Sequence, residues 1–240
     1  GRPHRAPRHG FALDAGCRHA ILQDRSRLLS ALKLDPFYPV LPDAAWVARI
    51  ASEGAKFIQL RVKDALPAVV KTEIAQALKV ASAHDCQLVV NDYWREAISL
   101  GADFVHLGQG DLAGANLTAI RSAGIKLGIS THTTEELDNA LAAGPDYVAL
   151  GPIYPTKLKA MPWKPQGLGR IGEWRSKIAC PLVAIGGITL ERALDVLAAG
   201  ASSAAVVTDI FMSGDPEQRT RDWIATTAPW RHLSTTCPQT

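Results

Sequence analysis

Cysteine is scarce and scattered. Cys17, Cys86, Cys180 and Cys237 are the only four, and none forms a CxxC pair, which argues against a zinc ribbon or a disulfide framework and makes a reducing cytoplasm the default expectation. No apolar stretch reaches the roughly 18 residues that a membrane span needs. The basic start is not followed by the apolar run of a signal peptide, so no membrane partner is expected. The body also lacks positive charge. The formal charge is +3, but residues 1 to 36 hold seven Lys/Arg against three Asp, which leaves about −1 for the remainder. Nucleic acid is therefore not an expected partner.

At 240 residues, 47% apolar and 20% charged, the chain is long enough to bury a sizeable core in one domain. Residues 1–36 read as a basic extension. Arg2, Arg5, Arg8, Arg18, Arg25 and Arg27 with few acids suit an organelle transit peptide; a fusion remnant, a tag-like leader or an upstream linker suits them too. The expected division is an extension over 1–36, a folded body over 37–228 and a tail over 229–240.

From Phe37 onward one unit repeats: a helix-patterned stretch, a glycine, then a short β-branched or apolar run. Gly54, Gly101, Gly124, Gly144 and Gly200 stand where a helix would end in a left-handed cap. The pattern predicts strands near 37–41, 56–62, 87–91, 103–107, 125–130, 146–151, 181–186 and 202–208. Helices are predicted near 43–53, 67–84, 93–100, 115–123, 133–143, 170–178, 189–199 and 215–227. Eight alternations in this span point to an α/β fold, a (β/α)₈ barrel rather than an open doubly wound sheet. The connection from Pro152 to Gly169 is long for a compact domain and reads as a lid over a substrate, with Trp163 as its anchor.

A closed ring of parallel strands gathers the strand ends on one face. Asp92 follows the third strand and Asp111 the fourth, a carboxylate pair suited to Mg²⁺, which keeps waters and takes oxygens from substrate phosphates. Either Asp alone also serves as a helix cap. Gln59, Arg61 and Lys63 fall on one side of a period-two strand, costly to bury unless they face a pocket, so they read as a phosphate clamp. A surface ion pair is the competing account. Gly186-Gly187 ends the seventh strand, and Val207-Thr208 ends the eighth before a helical turn at Asp209 to Met212, the arrangement of a barrel phosphate site. Asp209 and His132 read as a capping Asp and a helix-start His.

Six blocks in order resemble the thiamine-phosphate synthase family: Gln59-Leu60-Arg61-Val62-Lys63-Asp64, Val90 to Trp94, Val105 to Asp111, Gly128 to His132, Gly151 to Thr156 and Ala184 to Ile188. The resemblance spans about Phe37 to Ile224. It implies a TIM barrel that uses Mg²⁺ and small-molecule substrates, condensing a hydroxymethylpyrimidine diphosphate with a thiazole phosphate and releasing pyrophosphate. By matched position, Gln59, Leu60, Arg61, Val62, Lys63, Asn91, Ser130 and Lys159 would hold the pyrimidine diphosphate. Asp92 and Asp111 would bind magnesium. Thr156, Gly187, Val207 and Thr208 would contact the thiazole phosphate partner, and Lys157 and Leu158 would also bind substrate. Arg61, Lys63 and Lys159 would stabilise the departing charge.

The chain departs from the family's Pro-Thr-x-Thr-Lys pattern at Pro155-Thr156-Lys157-Leu158-Lys159, where leucine replaces the second threonine. Thr208 stands where serine is usual. The alternatives are a thiazole tautomerase-like barrel, which would not need the metal pair, and a catalytically weakened homologue that only binds thiamine phosphates. A sugar-phosphate isomerase would need an acid and a base poised on a carbon acid, and no such pair is evident. Homo-oligomerisation stays open.

Overall fold

In the computed structural model, which describes residues 32–156 and 163–231, the glycines at 54, 101, 124, 144 and 200 all adopt positive φ. Each closes a helix and returns the chain to a strand. The strands are β1 (Phe37–Leu41), β2 (Phe57–Leu60), β3 (Gln87–Asn91), β4 (Phe104–Leu107), β5 (Lys126–Thr131), β6 (Tyr147–Leu150), β7 (Leu182–Ile185) and β8 (Ser203–Val206). Each pairs in parallel with the next and β8 pairs with β1, so the sheet closes into a barrel.

The helices are α1 (Ala44–Ser52), α2 (Pro67–Ala83), α3 (Trp94–Leu100), α4 (Gln109–Ala113), α5 (Leu117–Ser122), α6 (Thr134–Ala142), α7 (Gly167–Arg175), α8 (Leu190–Ala198), α9 (Thr208–Phe211) and α10 (Pro216–Thr227). Their starts are chemically marked. Asp43, Asn116, Thr133 and Asp215 accept hydrogen bonds from backbone N–H groups in the first turns of α1, α5, α6 and α10, satisfying donors the helix itself leaves free. Pro67 and Pro216 open α2 and α10, where the missing N–H costs nothing.

Alternation along the strands builds two shells. Outward residues such as Ile58, Val90, Val105, Ile129, Val148 and Ala184 join Val47, Ile74, Leu137, Trp174 and Trp223 of the helices in one apolar layer. Inward residues fill the barrel with rings: Phe57 stacks on Tyr38 and meets Phe104 and Tyr147 edge-on. This filling makes the barrel a packed core rather than a pore, leaving only the mouth for ligand.

Two expectations change. Strand β2 ends at Leu60 rather than Val62, because β1 stops at Leu41 and β3 at Asn91, leaving no neighbour for a longer ladder. Arg61 makes the last bond, its N–H donating to Leu41 O at 2.8 Å, and Asp64 then turns the chain in the left-handed region. The stretch expected as one helix over 115–123 is preceded by the separate short α4. At the edges of the folded unit, the Arg231 guanidinium pairs with both oxygens of Asp35, at 2.7 and 3.0 Å. Residues 1–31 and 232–240 lie outside the described residues.

Candidate active site

The ends of β3 and β4 hold the charged centre of the mouth. Asp92 follows β3 directly with φ 66, a conformation that Asp tolerates better than most residues. Its N–H donates to His106 O at 2.9 Å and its C=O accepts from Trp94 N–H at 2.8 Å, so the side chain projects from a pinned backbone. The Asp92 carboxylate accepts from the Lys63 ammonium. Asp111 lies in the first turn of α4. Although Asp111 is exposed overall, partial burial of its carboxyl, the Asp92 charge and a hydrogen bond shared with Asp92 hold it above the usual carboxylate range, with Lys63 opposing.

Two carboxylates this close repel each other until a cation joins them. Among the described residues no group of three or more His, Cys, Asp or Glu side chains could hold a metal ion. A bare pair of hard oxygen donors fits Mg²⁺, which retains waters and completes its shell with phosphate oxygens. Beside the pair, Asn91 is 5% exposed and its amide nitrogen has no hydrogen-bond partner. A buried donor left open at a cavity mouth costs stability unless a ligand accepts from it.

Gln59 and Ser130 belong to the barrel interior. Gln59 Nε2 donates to the Tyr38 hydroxyl at 2.8 Å, and the Tyr38 and Tyr147 hydroxyls are 3.0 Å apart. Tyr147 also meets His106 Nδ1 at 2.9 Å, and His106 Nε2 meets Ser130 Oγ at 2.7 Å. Burial pushes the His106 pKa down to about 4 and raises both tyrosines above their ordinary value, so the imidazole is neutral and the phenols keep their protons at pH 7. Gly128 makes room for this: a Cβ there would lie 2.1 Å from Tyr147 Cζ.

Across the mouth, the β6–α7 connection is pinned to the end of β7. Ile153 N–H donates to Ile185 O at 2.9 Å and Tyr154 N–H to Gly186 O at 3.0 Å. Gly187 has φ 64, and a Cβ on it would lie 2.5 Å from Pro155 O. Val207 precedes α9, so the helical turn expected at Asp209 to Met212 begins at Thr208. Asp209 is committed to structure, accepting from Leu190 N–H, Arg219 and Trp223 Nε1. His132 precedes the Thr133 cap of α6 and is engaged locally: its N–H donates to Glu136 Oε2, its Nδ1 meets the same oxygen, and its ring stacks on Trp163 at 3.8 Å.

The expected grouping is therefore altered in one respect. Arg61 and Lys63 do not share a strand face with Gln59, because β2 has ended; Gln59 is buried inside, Leu60 and Val62 are buried, and Arg61 and Lys63 are exposed. Lys63 reaches Asp92 from an irregular segment instead. Thr156 is half-buried at the end of the pinned connection. Lys157, Leu158 and Lys159 lie outside the described residues. An open recess of about 740 Å³ beside α6 and α7 is lined by residues such as Thr133, Glu135, Trp163 and Arg170. Of the residues above, His132 and the Trp163 stacked on it line the recess, but Gln59, Asn91, Asp92, Asp111, Ser130 and Gly187 do not, so the barrel mouth, where the carboxylates and the open amide meet, remains the candidate site.

The family model for thiamine monophosphate synthase matches residues 39–210. The chain belongs to that family. A thiamine-phosphate synthase of Rhizobium etli is 58% identical over 203 residues, covering 84% of this chain and 100% of the relative. One of Salmonella agona is 46% identical over 189 residues, covering 78% and 90%. The solved structure of a thiamine phosphate pyrophosphorylase from Pyrococcus furiosus superposes with a TM-score of 0.73 at 25% identity, covering 82% of this chain and 96% of that one. Within this thiamine monophosphate synthase fold, Tyr38, His106 and Tyr147 are the polar residues that the sequence reading did not assign to the site. For His106 the signal was available: like Gln59 and Ser130, it is a polar residue at the next-to-last position of a buried strand.

Proposed function

We infer that the chain condenses a hydroxymethylpyrimidine diphosphate with a thiazole phosphate, giving thiamine phosphate and pyrophosphate. The observation that carries this reading is the meeting of Asp92, Asp111 and Lys63 beside the open Asn91 amide, in a chain of this family.

The bond between the pyrimidine methylene carbon and the diphosphate oxygen breaks, its electron pair leaving with pyrophosphate. The ring-nitrogen lone pair of the thiazole forms the new C–N bond, which leaves a thiazolium. No side chain need supply a nucleophile or a proton. Arg61 and Lys63 face the charge that builds on the departing diphosphate and stabilise it electrostatically. Asn91 donates to a substrate oxygen and fixes its position. Asp92 and Asp111 would hold Mg²⁺, which when bound adds electrophilic charge at the leaving group. The backbone at Gly187, Val207 and Thr208, with Thr156, would bind the thiazole phosphate and aim its nitrogen. Gln59 and Ser130 would hold the pyrimidine. The roles of Lys157, Leu158 and Lys159 rest on the family resemblance alone.

Incubation of the purified chain with both substrates and Mg²⁺, read as the fluorescence of oxidised thiamine phosphate, tests the reading directly. Stoichiometric release of pyrophosphate with thiamine phosphate is expected. Binding of both substrates by calorimetry without turnover would sink it.

A further inference from the structure

A line of five polar side chains crosses the barrel from β2 to β5, through Gln59, Tyr38, Tyr147, His106 and Ser130. Tyr38, Gln59 and His106 are each at most 5% exposed, so no bulk water rescues a mismatched bond. Each tyrosine has one hydroxyl proton and the neutral imidazole has one N–H. All four bonds are made with no buried hydroxyl proton left unpaired only if every proton points the same way along the line; the reverse arrangement would have Tyr38 accept twice and strand its own proton. The amide nitrogen of Gln59 faces Tyr38, which selects the sense. Tyr38 donates to Tyr147, Tyr147 donates to His106 Nδ1, and His106 Nε2–H donates to Ser130 Oγ. The Ser130 hydroxyl proton is left for a ligand. At the other end, the Gln59 carbonyl oxygen has no protein partner among the described residues.

We propose that His106, Tyr147 and Tyr38 are positioning residues that fix the hydrogen-bond polarity of the pocket, so that Gln59 presents an acceptor and Ser130 a donor to the substrate ring. This rests on the reading of Gln59 and Ser130 as pyrimidine-binding residues. The pattern matches an aminopyrimidine, whose exocyclic N–H donates and whose ring nitrogen accepts. The corresponding oxopyrimidine offers a carbonyl acceptor and a ring N–H donor instead. To bind it, all five groups must reverse together or leave a buried mismatch, and sites built this way reject the wrong analogue by large factors. The three residues touch no substrate; they act by denying Gln59 and Ser130 the opposite orientation.

Two measurements test this. In ¹⁵N-histidine-labelled protein, the His106 signal, assigned by its loss in His106→Gln, should show its proton on Nε2; a proton on Nδ1 would overturn the proposal. Second, inhibition constants of the amino- and oxopyrimidine diphosphates are compared. Wild type should favour the amino form by at least about a hundredfold. Tyr147→Phe and Tyr38→Phe keep the rings but break the line, and each should cut that ratio by about tenfold or more, with KM for the thiazole phosphate held within about twofold. An unchanged ratio in both Phe variants, alongside a reduced one in Ser130→Ala, would remove the relay and keep the pocket. If neither Ser130→Ala nor Gln59→Leu alters pyrimidine binding, the pocket reading fails and the proposal fails with it.

Discussion

The two sides of the barrel mouth are polar by different means. At the ends of β2, β3 and β4 the polarity resides in charged side chains, with Lys63, Asp92 and Asp111 clustered. At the ends of β6, β7 and β8 it resides in backbone, with Gly186 and Gly187 letting one loop lie directly on another strand's end. The difference follows from the tasks proposed. A leaving diphosphate needs cationic side chains and a divalent ion, whereas a terminal phosphate needs only a fixed set of N–H groups. The first side should therefore be sensitive to loss of charge, and the second to gain of a methyl group.

The sharpest way to break this contrast is Asp92→Asn, which keeps shape and removes charge. It should lower kcat/KM at least about a hundredfold, equivalent to about 2.7 kcal/mol; near-wild-type turnover would take Asp92 out of the metal site. Gly187→Ala probes the other side. Its added Cβ would meet Pro155 O at 2.5 Å at a φ of 64, strain of about 1–3 kcal/mol. KM for the thiazole phosphate should rise by about tenfold with little change for the pyrimidine diphosphate. An equal rise for both substrates would mean that the two sides are not separable.

Asp111→Asn sharpens the comparison through stability. The folded protein holds the Asp111 proton more tightly than the unfolded chain, so this carboxyl adds nothing below a pH of about 4 and costs stability as pH rises through the folded pKa. Without metal, the variant should therefore melt higher than wild type at pH 7 and equal to it in acid. Added Mg²⁺ should raise the wild-type Tm and leave the variant unmoved. Loss of that reversal would argue against the carboxylate pair as the ion's seat. The smallest expected effect is at Leu158. Restoring the family's hydroxyl with Leu158→Thr should lower KM for the thiazole phosphate by no more than about tenfold, and an unchanged or higher KM would deny that side chain a binding role.

Much of the fold was legible because each βα unit carries its own punctuation. A glycine stops the helix, and a short β-branched run follows, as at Gly124 before Lys126–Thr131. The five-residue α4 was not legible: Gly110 sits inside it, and it is too short for helical periodicity to register. The reach of β2 was overread for a different reason. Alternation continues through Arg61-Val62-Lys63, but strand length is set by neighbouring strands, which a single sequence does not show. For the site, Asp92 and Asp111 were legible as strand-end carboxylates. Tyr38 and Tyr147 were not, since an aromatic in a buried strand looks like core until the barrel closes and the two hydroxyls meet. Gly128 carried the cue, because only a missing side chain lets the Tyr147 ring lie where it does.

The Asp35–Arg231 pair brings the first and last described parts of the folded unit into direct contact, at the base of β1 and just after α10. A short linker could therefore join these two points and the chain be reopened at a surface turn between a helix and the following strand, such as Gly144, without altering any strand pairing. A circularly permuted barrel of that kind should refold and keep its mouth intact, because the order of units around the ring, rather than the place where the chain starts, positions the strand ends.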